Sequence, residues 1–177
     1  MGYVLRYHIR ECMATESLSE ILTFCKRTGC RKVLLFTGSY DFQPSFVPLE
    51  TLRLYAQHLS EWSEVLATKG IRVNINLLQT LGHINFPYSL SSEFPFQRRI
   101  QWTGNESDGG ACPLDTGLQK YVSEVYHIFA SLKPEIIYVD DDFRSLIGGM
   151  CCFCRKHLER IRCLLGRPVS REELVAE

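Results

Sequence analysis

Short runs of apolar residues recur along the chain, and each run has the length of a single strand. The clearest run covers residues 33–36, with the sequence VLLF, and is bounded by Lys32 and Gly38. A continuous apolar run of this kind is typical of a strand that is buried on both faces of a parallel sheet. The pattern predicts strands over residues 3–9, 33–36, 71–78 and 136–139.

Between these runs the apolar positions recur every three or four residues, which is the period of a helix with one buried face. This pattern predicts helices over residues 17–27, 49–69, 116–132 and 157–165. In the longest of them the apolar stripe consists of Leu52, Leu59, Trp62, Val65 and Leu66. Ser17 and Glu20 have the spacing of a capping box at the first helix, and Gly29 is placed to end that helix.

The alternation of strands and helices predicts an α/β fold of parallel (β/α) units joined by right-handed crossovers, in a single domain over residues 1–177. In such folds, ligands bind at the carboxyl ends of the strands. Here these ends are residues 37–41, 79–83 and 140–144. No glycine-rich dinucleotide-binding loop follows any of the strands, which favours a barrel over a nucleotide-binding open sheet.

One long segment, residues 82–115, separates the third strand from its helix, and we expect it to be irregular. Loops of this length inside a compact domain are usually functional or disordered. The segment is rich in Pro, Ser, Gly and Gln, but it also holds several aromatic residues, which predict a packed loop that helps to shape a site. They are Phe86, Tyr88, Phe94, Phe96 and Trp102.

Three consecutive carboxylates, Asp140, Asp141 and Asp142, follow the fourth predicted strand. Because side chains alternate along a strand, the first and third should face one way and the second the other. Carboxylates this close raise one another's pKa values, and a raised pKa is what a general acid needs at neutral pH. Two alternatives stay open: magnesium binding, and a solvated turn in which one carboxylate pairs with Arg144.

A second cluster is formed by cysteines. Cys152, Cys154 and His157 form a Cys-x-Cys-x-x-His run at the entry to the last helix, a spacing that suits tetrahedral zinc. Cys112 is the best candidate for the fourth ligand, and Cys151 is an alternate ligand. Four protein ligands leave no position for water or substrate, so this zinc would be structural. The alternative is a group of free cysteines beside an exposed histidine.

The overall charge points to no polyanionic partner. Lys plus Arg and Asp plus Glu number 20 each, so the chain has no net field to attract nucleic acid or an anionic membrane. The first residues lack the apolar region of a signal peptide, and no segment approaches the length of a membrane helix. These features predict a cytoplasmic protein with reduced thiols, in which Cys25, Cys30 and Cys163 are buried core residues.

Cys112-Pro113 before a helix, the acidic end of the fourth strand and the Cys-x-Cys-x-x-His run together resemble glycoside hydrolase family 42, the bacterial β-galactosidases. The resemblance implies the N-terminal half of a TIM-type (β/α)8 barrel. It also implies a structural zinc site in these loops, with His157 in place of the family's fourth cysteine. Asp141 would match the family's acid/base glutamate, and the nucleophile on strand seven would lie beyond the chain end. The Asp-Asp-Asp-Phe-Arg sequence is closer to uncharacterised relatives of this family.

Two functions follow as hypotheses. In the first, the chain is a glycoside hydrolase-like catalytic fragment that acts on or binds carbohydrate, with Asp141 as general acid/base between Asp140 and Asp142. The residues expected to line its sugar site are His83, Asp41, Arg144 and Trp102. In the second, the chain is a non-catalytic, zinc-stabilised binding or assembly module. A redox role for the cysteines fits less well, because no clean Cys-x-x-Cys pair opens a helix.

Half of a barrel would leave two strand edges and some apolar surface exposed. The resemblance therefore predicts either a homo-oligomer or a partner chain that completes the barrel.

Overall fold

The computed structural model describes residues 3–36, 46–77, 94–139 and 152–176. In chain order, the elements are β1 (Leu5–His8), a short 3-10 helix (Glu11–Met13), α1 (Ser17–Thr28), β2 (Lys32–Phe36), α2 (Leu49–Thr68), β3 (Arg72–Leu77), β4 (Arg98–Ile100), β5 (Glu106–Ala111), α3 (Thr116–Ala130), β6 (Ile137–Val139), α4 (Arg155–Leu165) and α5 (Arg171–Ala176). They form two compact units. The sheet unit comprises Met1–Phe42, Val47–Gln79 and Tyr121–Asp141, and the cysteine unit comprises Gln43–Phe46, Thr80–Lys120 and Asp142–Glu177.

The sheet unit is built on a four-stranded parallel sheet with the strand order β1-β2-β3-β6. Each of these strands lies where an apolar run predicted one, so the predicted α/β fold with parallel strands is confirmed. The two central strands are the most deeply buried: Val33 and Leu35 of β2 and Ile75 of β3 are inaccessible to solvent. β3 is buried on both faces from Val73 onward, whereas Leu34 and Phe36 on the second face of β2 are half-buried.

The two faces of the sheet differ in character. Paired positions such as Val33 and Val73, or Leu35 and Ile75, lie on one face, which is apolar. Tyr7 also belongs to this face and donates a hydrogen bond to the Glu20 carboxylate of α1 over 3.2 Å, so α1 lies on this side. The opposite face is more polar, and its residues are Arg6, His8, Leu34, Phe36, Asn74, Asn76 and Tyr138.

Helix α2 packs through the stripe that its periodicity predicted. Leu52, Leu59, Trp62 and Leu66 are buried, whereas Val65 lies at the rim of the stripe with 37% of its surface exposed. A side chain of α3 forms hydrogen bonds with the backbone just before α2, and the apolar pattern of the sequence does not reveal this contact.

That side chain is Tyr121 of α3, whose hydroxyl donates to the Val47 carbonyl over 2.8 Å and accepts from the Val47 amide over 3.0 Å. Burial raises the pKa of Tyr121 to about 12, against the smaller opposite effect of the Val47 backbone. The phenol therefore stays protonated and can serve both backbone groups. It satisfies two buried polar groups ahead of the first turn of α2.

The predicted C-terminal end of α1 is confirmed, but its predicted N-terminal cap is not. Gly29 ends the helix in the left-handed conformation with φ of 71°, which a residue without a side chain adopts at little cost. The capping box predicted from Ser17 and Glu20 is wrong. Glu16 occupies the N-cap position, and the Ser17 hydroxyl instead donates to the Glu11 carbonyl over 2.6 Å. The preceding 3-10 helix brings that carbonyl within reach.

The cysteine unit contains an element that the sequence did not predict. β4 and β5 pair antiparallel within the segment expected to be irregular, so that expectation is wrong for residues 98–111. Their sequences, RRI and ESDGGA, lack the alternation that signals a strand, and Ile100 is their one β-branched residue. Gly104 supplies the turn between them with φ of 91°.

An aromatic cluster lies beside this hairpin. Phe46, Phe94 and Phe96 pack with ring centroids 5.1–5.8 Å apart. Phe94 and Phe96 come from the long segment whose aromatic residues predicted local packing. Through these contacts the start of the described part of the long segment packs against Phe46.

Helix α4 begins at Arg155, two residues earlier than predicted, and Gly166 ends it in the left-handed conformation. None of its side chains is buried. The prediction that Cys163 is a core residue is therefore wrong, because this thiol is exposed. Cys25 and Cys30 are buried, as predicted. Of the helices in the described parts of the chain, none combines the length and the apolar character needed to cross a membrane.

Candidate metal centre

Four side chains with metal-binding atoms meet in the cysteine unit. Cys112 directly follows the last residue of β5, and Cys152 and Cys154 precede α4. Cys154 is the N-cap residue of that helix, and His157 lies in its first turn. The helical turn places His157 back over Cys154, because residues three apart lie on the same side of a helix.

The backbone of β4 holds both cysteine segments. The Cys112 amide donates to the Gln97 carbonyl over 2.7 Å, and the Phe153 amide donates to the Ile100 carbonyl over 2.9 Å. The Cys112 segment is thus bound to the residue just before β4, and the Phe153 segment to the last residue of that strand. Ile100 and Leu114 pack against the cysteines from the side.

The ligand atoms of Cys112, Cys152, Cys154 and His157 all lie within 4.8 Å of one another. The Cys112 and Cys154 sulfurs are 3.6 Å apart, and the His157 Nδ1 lies 3.6 Å from the first and 3.3 Å from the second. A tetrahedral zinc with Zn–S bonds of about 2.3 Å separates two sulfurs by about 3.8 Å and a sulfur from a nitrogen by slightly less. The observed distances are close to these, so the cluster can bind a metal ion.

Burial makes the cluster costly to ionise without a cation. All three cysteines are buried, and Cys112 has no solvent exposure. Burial raises the pKa of the Cys112 thiol to about 12, and the backbone amide of Leu114 acts in the opposite direction. Burial likewise raises the pKa of Cys152, opposed by the amides of Ile100 and Cys154.

Two of these opposing contributions come from the amide two residues after the sulfur, Leu114 for Cys112 and Cys154 for Cys152. A backbone amide that points at a sulfur stabilises the thiolate in preference to the thiol. Burial also lowers the pKa of His157, with the charge of Arg160 acting in the same direction. A neutral imidazole offers a nitrogen lone pair, which is the form that binds metals.

The structure thus brings together the four residues that the sequence predicted as metal ligands. The alternate metal ligand Cys151 lies outside the described residues. The candidate residues of the catalytic and sugar-binding site also lie outside them, with one exception. They are Asp41, His83, Asp140, Asp141, Asp142 and Arg144. The exception is Trp102, which lies between β4 and β5 with 54% of its surface exposed.

Three polar residues escaped the sequence analysis. Asn74 and Asn76 are buried in the middle of β3, and Arg99 is buried in β4. The signal for the asparagines was present, since two amides interrupt an otherwise apolar strand at alternate positions. Arg99 offered no such signal, because β4 itself was not predicted.

A comparison with models of known protein families finds no match for this chain, and a comparison with curated proteins finds none either. The functional argument therefore depends on the geometry of the chain and on the chemistry of its side chains.

Proposed function

We propose that this chain is a zinc-stabilised part of a glycoside hydrolase-type (β/α) barrel that acts on or binds carbohydrate. The observation that carries the proposal is the buried group of Cys112, Cys152, Cys154 and His157. This group is the zinc site that the resemblance implies for these loops, with His157 in place of the family's fourth cysteine.

Zinc fits the cluster better than calcium or magnesium. Three sulfurs and one imidazole nitrogen are ligands that calcium and magnesium avoid, since those ions prefer oxygen. Four protein ligands fill a tetrahedral coordination shell, which makes the ion structural and leaves catalysis to other residues. Bound zinc would join the end of β5 to the start of α4.

The strand order supports a barrel. The parallel strands are neighbours in the same order in which they occur in the chain, β1-β2-β3-β6. In an open doubly wound sheet the order reverses at a switch point, whereas in a (β/α)8 barrel it runs consecutively around the barrel. In a barrel, the polar face with Arg6, His8, Asn74 and Asn76 would point inward.

A sugar-binding role is supported by the side chains of that face. Asn74 and Asn76 offer amide groups that can pair with hydroxyls, and within the described parts of the chain the Asn74 oxygen has no hydrogen-bond partner. The Arg6 guanidinium lies 4.5 Å from the centre of the Phe36 ring, beside His8. The three carboxylates 140–142 follow β6 directly in the sequence, at the strand end where barrel enzymes act.

The zinc proposal predicts which cysteines react with an alkylating reagent. In the metal-loaded protein, we expect Cys163 to be modified rapidly, because it is exposed. Cys112, Cys152 and Cys154 should be modified only after a strong chelator has removed the metal. Cys12 should stay unmodified with and without chelator, because it is fully buried and is not one of the cluster's residues.

Peptide mapping by mass spectrometry, together with metal analysis, checks this order. Cys12 is the internal control, because chelation should not change its modification. Equal rates for Cys112 with and without chelator, in a protein that contains no zinc, would contradict the proposal. A bond between the Cys112 and Cys154 sulfurs in the purified protein would contradict it as well.

Carbohydrate chemistry is tested with aryl glycosides and a panel of oligosaccharides on the zinc-loaded protein. If Asp141 is the general acid, Asp141→Asn should lower hydrolysis about 10²–10⁴-fold. The exposed carboxylate of Glu172 pairs with Arg171, so Glu172→Gln is a matched control that should change little. Absence of both turnover and oligosaccharide binding would overturn the carbohydrate role.

A non-catalytic assembly module is the second candidate, and the sheet edges favour it. β1 and β6 are the edge strands of the sheet, and Tyr138 and Val139 of β6 are 43% and 59% exposed. Exposed apolar edge strands tend to pair with other chains. Binding of oligosaccharides without turnover, in a stable oligomer, would favour this module over the hydrolase.

A further inference from the structure

Arg99, in the middle of β4, carries a charge in an unusual place. Its side chain is only 4% exposed, although arginine is almost never fully buried without a partner. Among the described side chains, no carboxylate forms an ion pair with it. Its Nε atom is buried and has no hydrogen-bond partner among the residues that the structure describes. A buried positive charge without an ion-pair partner is costly unless another negative charge lies nearby.

The chain neighbours of Arg99 connect it to the cysteine cluster. The carbonyl of Gln97 binds the Cys112 amide, and the carbonyl of Ile100 binds the Phe153 amide. Arg99 therefore lies between the two backbone contacts that hold the metal-binding segments. Burial lowers its pKa, while the charges of Cys152 and Cys112 act in the opposite direction.

The opposite strand leaves room for this guanidinium. At Gly110 of β5, any side chain would begin with a Cβ atom that overlaps the Arg99 side chain. Gly110 does not need left-handed backbone geometry, so space is the reason for a glycine at this position. The hairpin is thus built around a buried arginine.

We propose that Arg99 is the counter-charge of the metal centre, positioned to neutralise the centre rather than to bind the metal. This inference rests on the proposed zinc site. One divalent cation, three thiolates and a neutral imidazole sum to a single net negative charge, which one guanidinium balances. In a buried site an unbalanced charge is costly, so the neutral ensemble holds its metal more tightly.

The test measures zinc affinity by chelator competition in the full chain. Arg99→Gln removes the charge and should weaken zinc binding about 10–100-fold, the usual range for residues outside the ligand shell. Arg99→Lys keeps the charge and should recover most of this affinity. Arg98→Gln, on the adjacent and less buried residue, is the matched control and should leave the affinity within about 2-fold of wild type.

In a cobalt-substituted protein, the wavelength of the thiolate-to-cobalt charge-transfer band distinguishes a role of the charge from a role in packing. Removing a positive charge near the sulfurs should shift the thiolate-to-cobalt charge-transfer band to longer wavelength in Arg99→Gln, while four-coordinate ligand-field bands persist. If Arg99→Gln fails to fold, Gly110→Ala replaces it, because this variant displaces the guanidinium and keeps its charge. It should weaken zinc binding by less than about 10-fold, the lower end of the range expected when the charge is removed, and unchanged affinity would overturn the role of Arg99.

Each result separates this inference from the proposed function. A wild-type protein that binds zinc, with unchanged affinity in Arg99→Gln, would overturn the role of Arg99 alone. Equal losses in Arg99→Gln and Arg99→Lys, with no shift of the cobalt band, would show a packing role and overturn it too. A wild-type protein that takes up neither zinc nor cobalt would overturn the zinc site and, with it, the counter-charge.

Discussion

A Cys154→Ala variant should lose its zinc and the ordered start of α4. Cys154 is both a predicted ligand and the N-cap residue of this helix, and its carbonyl accepts the Leu158 amide over 3.0 Å. Without this sulfur only three ligands remain, and the two segments that the metal joins can separate. Metal analysis should find about one zinc per chain in the parent protein and a small fraction of that in the variant.

The effect should be large because packing does little to hold α4. The helix has no buried side chain, and Leu164 and Leu165 are 79% and 51% exposed. Structural zinc sites contribute roughly 10–16 kcal/mol in small peptides that fold only with metal. Since the β4–β5 hairpin has its own hydrogen bonds, we expect a smaller loss here, about 5 kcal/mol in the free energy of unfolding of the cysteine unit.

Hydrogen exchange measures this loss locally. Amides of α4 should exchange much faster in Cys154→Ala, and chelation of the parent protein should reproduce the change. Cys163→Ala is the matched control, because it removes an exposed thiol from the same helix and should alter neither zinc content nor exchange. Slow exchange of α4 in the metal-free protein would mean that the cluster does not hold the helix.

The sheet unit could be predicted because its signals are local. Residues 33–36 form a strand since a continuous apolar run is stable only inside a sheet, and α2 forms since its apolar residues share one face. The parallel arrangement then followed from the alternation of strands and helices. Asn74 and Asn76 are local exceptions whose meaning depends on the tertiary structure, so their presence in β3 did not reveal the polar face of the sheet.

The metal cluster was only partly a local signal. Cys152, Cys154 and His157 are close in the chain, and their spacing alone predicts three ligands. Cys112 lies 42 residues before Cys154, and it reaches the site because the Gln97 and Ile100 carbonyls anchor both segments. That anchor is β4 together with the residue before it, and the sequence did not predict this strand. The fourth ligand could therefore be nominated from the sequence, but its position could not be derived.

Arg99 shows why buried charges are hard to predict. An arginine next to another arginine in a polar segment is normally solvated, and only the pairing of β4 with β5 buries it. Gly110 makes the same point, since a Gly-Gly pair such as Gly109-Gly110 usually indicates a turn. In this structure it provides the space for the Arg99 side chain.

The second large effect is expected in the core of the sheet unit. Leu59 of α2 is fully buried, and replacing a leucine of this kind by alanine costs about 2–5 kcal/mol, because it leaves a cavity that the surroundings fill only in part. Leu59→Ala should therefore lower the free energy of unfolding by about 3 kcal/mol. At this chain length each kcal/mol shifts Tm by about 2–4 °C, so a decrease of about 10 °C is expected.

Leu54→Ala makes the same substitution on the same helix, at a side chain that is 62% exposed, and it should cost less than about 0.5 kcal/mol. The difference between the two variants isolates burial from helix propensity, because both exchange leucine for alanine in α2. Similar Tm values for the two would mean that α2 does not pack through its predicted stripe. Unchanged zinc content in Leu59→Ala would show that the metal centre does not depend on the core of the sheet unit.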